Sequence, residues 1–254
     1  MNCLGAGLLA LIACLGHPDP EIRDKTAFER ISAELRGGSV DGNTLIKAKD
    51  QLLALVAAPD PQGFQKPFAI LTLAEIARTD RLKAWMADSD RARLVDTAAT
   101  YLSNLTDYRA FDNKEGFRHG VAHGADLVLQ LALNTAITKP QLDRLLAAAA
   151  TQVAPKDPGV AYWTGEPDRL ARAVIYIAQR RLHADAEWTA WFESLMNPAP
   201  LESWDKAFLS EAGLRKRHNT RAFLLSVLAT VMTTDDPGMR QLVAPARNSL
   251  KLLP

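Results

Sequence analysis

Three features of this 254-residue sequence predict an all-α fold of stacked antiparallel helical hairpins, about a dozen helices. Apolar residues recur at helical spacing along most of the chain, and alternating strand patterns are nearly absent. Short breaks rich in Pro, Gly and Asp divide the chain into segments of roughly 10 to 20 residues, the usual length of globular helices. Composition agrees: 48% apolar and 23% charged residues describe a folded chain, read as one all-helical domain over residues 1–254.

The first segment, Met1 to Leu15, reads as a core helix closed by Gly16. Its Leu11-Ile12-Ala13-Cys14 looks like a lipidation box, but no Lys or Arg precedes the apolar run, as an export signal requires. The core helix is therefore preferred, with the cytoplasm as the compartment; export or lipid attachment at Cys14 follows only if the segment is a signal. It is too short to span a bilayer, which takes about 20 apolar residues. Cys3 and Cys14 on one helix stand about 16 Å apart, too far for a disulfide, so inert thiols are expected.

Asp19-Pro20-Glu21 is an N-cap, a first-turn proline and an early acid. The stripe Ile22, Phe28, Ile31 and Leu35 follows, stopped by Gly37-Gly38. Asn43 or Thr44 opens the next helix, with Leu45, Leu52, Leu53, Leu55 and Val56 inward, and Pro59-Asp60-Pro61 breaks it. Helical spacing resumes over Phe68–Ile76, and Asp88 or Ser89 starts a longer helix through Leu105. The central helix is expected from Lys114 to Leu133. Thr138-Lys139-Pro140-Gln141 is a capping box with a proline inside it, leading into Leu142–Val153. Residues 154–165 hold two prolines and two glycines and read as a hinge or covering loop. Further helices are expected over 166–182, 185–196, 203–214, 219–232 and 236–250. In Asp19-Pro20-Glu21-Ile22-Arg23 the sequence resembles the opening of HEAT-type repeats, whose Arg reaches across to a neighbouring repeat; the resemblance implies a HEAT-like α/α superhelix.

Chemistry concentrates between Glu115 and Asp126, Glu-Gly-Phe-Arg-His-Gly-Val-Ala-His-Gly-Ala-Asp. On a helix, His119, His123 and Asp126 share about 60° of arc. Tyr108-Arg109-Ala110-Phe111, Glu115 to His119, Val121 to Leu127, Gly165 to Arg172 and Arg217 to Arg221 together resemble a bacterial family known as domain of unknown function 2785 (DUF2785). The resemblance extends from about Cys14 to Leu228. Ala110 and Phe117 stand where the family pattern carries Gly and Trp. What the resemblance implies is an all-helical fold, with no established activity.

Three uses of the stripe stand open. Two histidines at i and i+4 can share a divalent metal ion, as in His-Glu-x-x-His zinc sites, with His119, His123 and Asp126 as ligands. Gly120 occupies the position of the glutamate base, so Glu166 or Asp168 is the candidate catalytic carboxylate of a metal-dependent hydrolase. Alternatively the stripe is a polar seam between helices, with Gly116, Gly120 and Gly124 leaving a smooth groove for a close neighbour. Third, Arg118, Arg169 and Arg172 can gather a small anionic ligand, with Trp163 capping the pocket, unless nearby carboxylates pair with them. Recognition of a partner protein or small anionic ligand is preferred to catalysis. The net charge of +1 argues against nucleic acid, no transmembrane span is expected, and no P-loop, nucleophile elbow or dinucleotide fingerprint is present.

Overall fold

The computed structural model describes residues 3–254, and its elements are helical apart from one two-stranded ribbon. In chain order they are α1 (Leu8–Ile12), a π-coiled turn (Glu21–Glu29) running into α2 (Arg30–Gly37), α3 (Gly42–Ala57), α4 (Gln65–Leu82) and α5 (Asp88–Ser103). Then come β1 (Phe111–Asp112), β2 (Gly116–Phe117), α6 (Gly120–Ala132), α7 (Lys139–Val153), α8 (Glu166–Gln179) and α9 (Asp185–Leu195). A 3-10 turn (Trp204–Leu209), α10 (Glu211–Val231), α11 (Pro237–Arg240) and α12 (Val243–Lys251) complete the order.

The all-α expectation holds. The even-numbered helices α2, α4, α6, α8, α10 and α12 each pack against the next as one row. A second row covers it: α3 lies on α4, α5 on α6 and α7, and α7 on α8. One apolar cluster runs through both rows from Cys3 to Leu253. Helix α6 is the innermost element, with eleven of its thirteen residues buried. Its Gly, Ala and Val content permits that, because small side chains let neighbours approach from every side. A Cβ at Gly124 would stand 2.5 Å from Leu102 Cδ2, and one at Gly120 2.9 Å from the Tyr101 hydroxyl. A buried carboxylate ties three helices together beside α6. Asp80 of α4 accepts from Arg91 of α5 (2.7 Å), from the Trp85 and Met86 amides, and from Asn134 beyond α6 (2.9 Å). No helix among the described residues is long and apolar enough to cross a membrane.

Local chemistry accounts for most helix ends. Gly38 closes α2 in the left-handed region (φ 72°), and Thr138 and Gln141 form the capping box of α7. Several boundaries differ from expectation. Asp41, not Asn43 or Thr44, caps α3, holding both the amide and the hydroxyl of Thr44. Ser210 accepts from Gly213 N and starts a helix that runs unbroken through Asn219, since nothing between Leu214 and Val231 interrupts it. Pro245 has no amide to donate, so the segment 236–250 divides into α11 and α12.

The N-terminus departs furthest. The helix expected from Met1 to Leu15 is only Leu8–Ile12, and its expected start lies outside the described residues. Gly5 takes φ 90° and turns the chain back, so Cys3 and Cys14 stand 6.3 Å apart at Cα and form a disulfide. The expectation of two free thiols fails because the 16 Å separation assumed continuous helix. Closing a loop of this size stabilises the folded chain by roughly 3 kcal/mol in the chain-entropy account. Reduction, or Cys3→Ser, is therefore expected to lower the unfolding free energy obtained from urea titration by roughly 3 kcal/mol. Equal stability of the reduced and oxidised chains would refute the assignment.

Candidate functional site

The central helix expected from Lys114 begins only at Gly120, and the residues before it form a hairpin. Asp112 Oδ1 accepts from the amides of Lys114 (2.8 Å) and Glu115 (3.0 Å), which competes with helix formation. Gly116 follows at φ 73°, the left-handed position that closes a three-residue hairpin loop, and Phe111 pairs with Phe117. Gly116 is thus a turn residue, and the expected three-glycine helical stripe reduces to Gly120 and Gly124. His119 then reverses the chain at φ 54° and stands as the N-cap of α6.

Arg23 and Arg118 hold the hairpin in place. Their guanidinium groups lie over the Phe64 ring, 4.4 and 4.0 Å from its centroid. Arg23 is wholly buried; it pairs with Asp24 and donates to the His17 and Pro18 carbonyls and, across the fold, to the Glu115 carbonyl (2.8 Å). Arg118 donates to the Gln62 carbonyl (3.0 Å) and to Glu115 Oε2 (2.8 Å). Burial lowers the Arg23 pKa, with Asp24 opposing and Arg118 adding to the shift.

Arg118 and His119 are consecutive, and they border different places. On the His119 side, its ring stacks on Phe117 (5.1 Å between centroids) and meets His123 edge-on (5.7 Å). His119 Nε2 is 3.8 Å from Glu166 Oε1, the first residue of α8. Glu166 is buried and takes the Thr164 amide (3.0 Å) and hydroxyl. His123 is enclosed, packed edge-on against Phe68 (5.1 Å). Burial depresses both imidazoles; for His123, burial followed by the neighbouring His119 and Arg169 takes the pKa down to about 3. His119 Nε2 and His123 Nδ1 are buried and have no hydrogen-bond partner. Asp126 does not join them, because Arg169 of α8 pairs with it. Burial raises the Asp126 pKa against the pull of Arg169. Among the described residues no three His, Cys, Asp or Glu groups converge as a ready metal-binding set.

On the Arg118 side lies a cleft of about 620 Å³ between α3 and α5, above the start of α4. Leu53, Val56 and Leu105 supply apolar wall, and Lys66, Arg93 and Arg118 supply cations. Its carboxylates are engaged: Asp60 accepts from the Gly63 and Lys66 amides, Asp96 pairs with Arg144, and Asp107 pairs with Arg109. Arg93 has Asp50 at 3.8 Å, whereas Lys66 makes no ion pair among the described residues. The Tyr101 hydroxyl is buried without a partner, and burial, then Asp107 and Asp60, raises its pKa.

The remaining sequence candidates are dispersed. Asp168 is exposed and accepts from Ser226; Arg172 is exposed on α8. Arg169 and Arg172 do not line the cleft with Arg118. Trp163 is 73% exposed, and its neighbour Tyr162 anchors the 154–165 loop instead. The Tyr162 hydroxyl donates to the Gln152 carbonyl (2.9 Å), and its amide donates to Asn219 Oδ1 (2.9 Å). Lys66, Arg93 and Tyr101 were missed by the sequence reading, since they come from two helices and carry no motif; the unusual polar run Thr97, Thr100, Tyr101 and Asn104 along one face of α5 was the available signal.

Comparison with known proteins finds one family model, described as "Protein of unknown function (DUF2785)", matching residues 53–229. It begins later than the resemblance read from the sequence and takes in the hairpin, α6 and α8. Neither a curated protein nor a solved structure matches the chain.

The buried histidine has a consequence for stability. His123 titrates at 6.5 when unfolded and at about 3 when folded, so the unfolded chain binds more protons between these values. Stability is therefore full above pH 6.5 and falls as pH drops toward 3, by about 1.4 kcal/mol per unit from this group. Urea midpoints across that range are expected to show the slope, and His123→Leu to flatten it. An unchanged slope in the variant would exclude His123 as its source.

Proposed function

We propose, for a chain that belongs to the DUF2785 family of proteins of unknown function, that it binds a small anionic ligand with an apolar body in the cleft between α3 and α5. The observation that carries this reading is the imbalance of the cleft: each of its carboxylates already has donors, while Lys66 lacks a carboxylate partner. An incoming carboxylate or phosphate pairs with Lys66 and, at the opposite wall, with Arg93. The ligand's apolar part lies on Leu53, Val56 and Leu105. The volume is that of an ordinary small-molecule site, which takes about 300–1,000 Å³. The helices pack in two rows, and stacked helical hairpins present such grooves between successive helices.

The metal-dependent hydrolase alternative draws on Asp126 as a ligand and on Glu166 or Asp168 at the water. Asp126 is held by Arg169, and Asp168 by Ser226, so no observation favours that reaction.

A calorimetric or thermal-shift panel of aliphatic and aromatic carboxylates and phosphate monoesters tests the binding reading. One chemical class is expected to bind, and Lys66→Met to weaken it about tenfold, the worth of one charge-assisted hydrogen bond. A panel with no binder, or binding indifferent to Lys66→Met, would remove the cleft as the site.

A further inference from the structure

We propose that Tyr101 sets the specificity of the cleft between α3 and α5, its hydroxyl donating a hydrogen bond to a neutral oxygen of the bound acid. This rests on the cleft reading above and adds the chemical class of the ligand. That class is a carboxylate or phosphate monoester whose apolar body carries a carbonyl or ether oxygen.

The Tyr101 side chain forms part of the cleft wall, and its hydroxyl is buried without a hydrogen-bond partner. Buried hydroxyls are nearly always paired in a folded chain, so this one calls for an acceptor from outside the fold. The carboxylates whose charge reaches it, Asp107 and Asp60, have both oxygens occupied. Asp60 takes the Gly63 and Lys66 amides, and Asp107 takes the amide and the guanidinium of Arg109. Helix α6 makes the room in which the side chain lies. A Cβ at Gly120 would stand 2.9 Å from the hydroxyl oxygen, and one at Gly124 3.3 Å from the Tyr101 ring. Leu105, also in the cleft wall, lies beside the hydroxyl, with its Cδ1 3.2 Å from that same Gly120 position. Leu105 is half-buried, and its side chain turns aside when a ligand reaches the hydroxyl, a common adjustment at binding surfaces.

Tyrosine ordinarily keeps its proton at pH 7, and burial followed by the two carboxylates strengthens its hold here. The hydroxyl therefore donates. The same two negative charges turn away a second anion, so the acceptor is a neutral oxygen and the ligand's charge goes to Lys66 and Arg93.

The test uses the full chain and acids paired by a single oxygen: phenylbutyrate against benzoylpropionate, and fatty acids against a series with one ketone moved along the chain. For at least one pair the wild type is expected to bind the keto acid about tenfold more tightly than its parent, the worth of one hydrogen bond. Tyr101→Phe, which removes the hydroxyl alone, is expected to bind both members of that pair alike, at the level of the parent acid. Lys66→Met is expected to weaken both members equally. A wild type indifferent to the oxygen, or a Tyr101→Phe variant that keeps the preference, would overturn the assignment of Tyr101 while the effect of Lys66→Met leaves the cleft standing. A panel without a binder would overturn the cleft reading and this one with it.

Discussion

The structure depends on one aromatic ring with two like charges on it. Phe64 is fully buried at the start of α4, and the guanidinium groups of Arg23 and Arg118 both lie over it. Two cations so placed repel each other, and burial adds a desolvation cost. The arrangement holds because both guanidinium groups are compensated: Arg23 by Asp24 and three carbonyls, Arg118 by Glu115 and the Gln62 carbonyl. The Glu115 main chain and side chain therefore take one arginine each. That joins the Glu21–Glu29 turn, the entry to α4 and the β1–β2 hairpin, and it fixes where α6 begins.

From that fixed point the two candidate sites follow as neighbours. Arg118 borders the cleft, while His119, the next residue, faces His123 and Glu166. Consecutive residues serve opposite sides because the chain reverses at His119, whose φ of 54° is left-handed. Such backbone in a non-glycine residue costs about 1–3 kcal/mol and persists where surroundings impose it. Here Phe117 stacks on one side of the ring and α6 packs below it, with Gly120 against Tyr101 and Leu105. The strain lies where the chemistry is densest.

How far all this was readable follows from the range of each interaction. Helix existence was legible because it rests on spacing and caps that the sequence displays, as at Gly38 and in the Thr138–Gln141 box. In the HEAT-type opening that Asp19-Pro20-Glu21-Ile22-Arg23 resembles, the arginine reaches a neighbouring repeat; here Arg23 reaches the Glu115 carbonyl of the β1–β2 hairpin instead. The hairpin was hidden because Lys114 to His119 carry no helix breaker other than Gly116, and a lone glycine is compatible with a helix. The disulfide was hidden for the same reason at Gly5: a single positive φ turned a 16 Å separation into contact. As for the site, the pairing of His119 with His123 and the approach of Glu166 were legible, since they depend on one helix turn and one shared segment. The fate of Asp126 was not, because Arg169 competes for it from another helix.

That competition shapes what α6 can do. A carboxylate beside two imidazoles ordinarily gives them something to donate to, and it raises their basicity. With Asp126 turned to α8, no carboxylate of their own helix serves the rings, and His119 Nε2 and His123 Nδ1 are buried without a hydrogen-bond partner. Buried polar atoms are nearly always satisfied in a folded chain. His119 Nε2 and His123 Nδ1 are unpaired within one helical turn, on a helix with eleven of its thirteen residues buried. The seam account does explain Arg169 with Asp126 and Glu166 with Thr164, where every group has its partner. It leaves the two imidazoles and the Tyr101 hydroxyl, which lies against Gly120 of the same helix, as the buried polar atoms beside α6 that the fold does not pair.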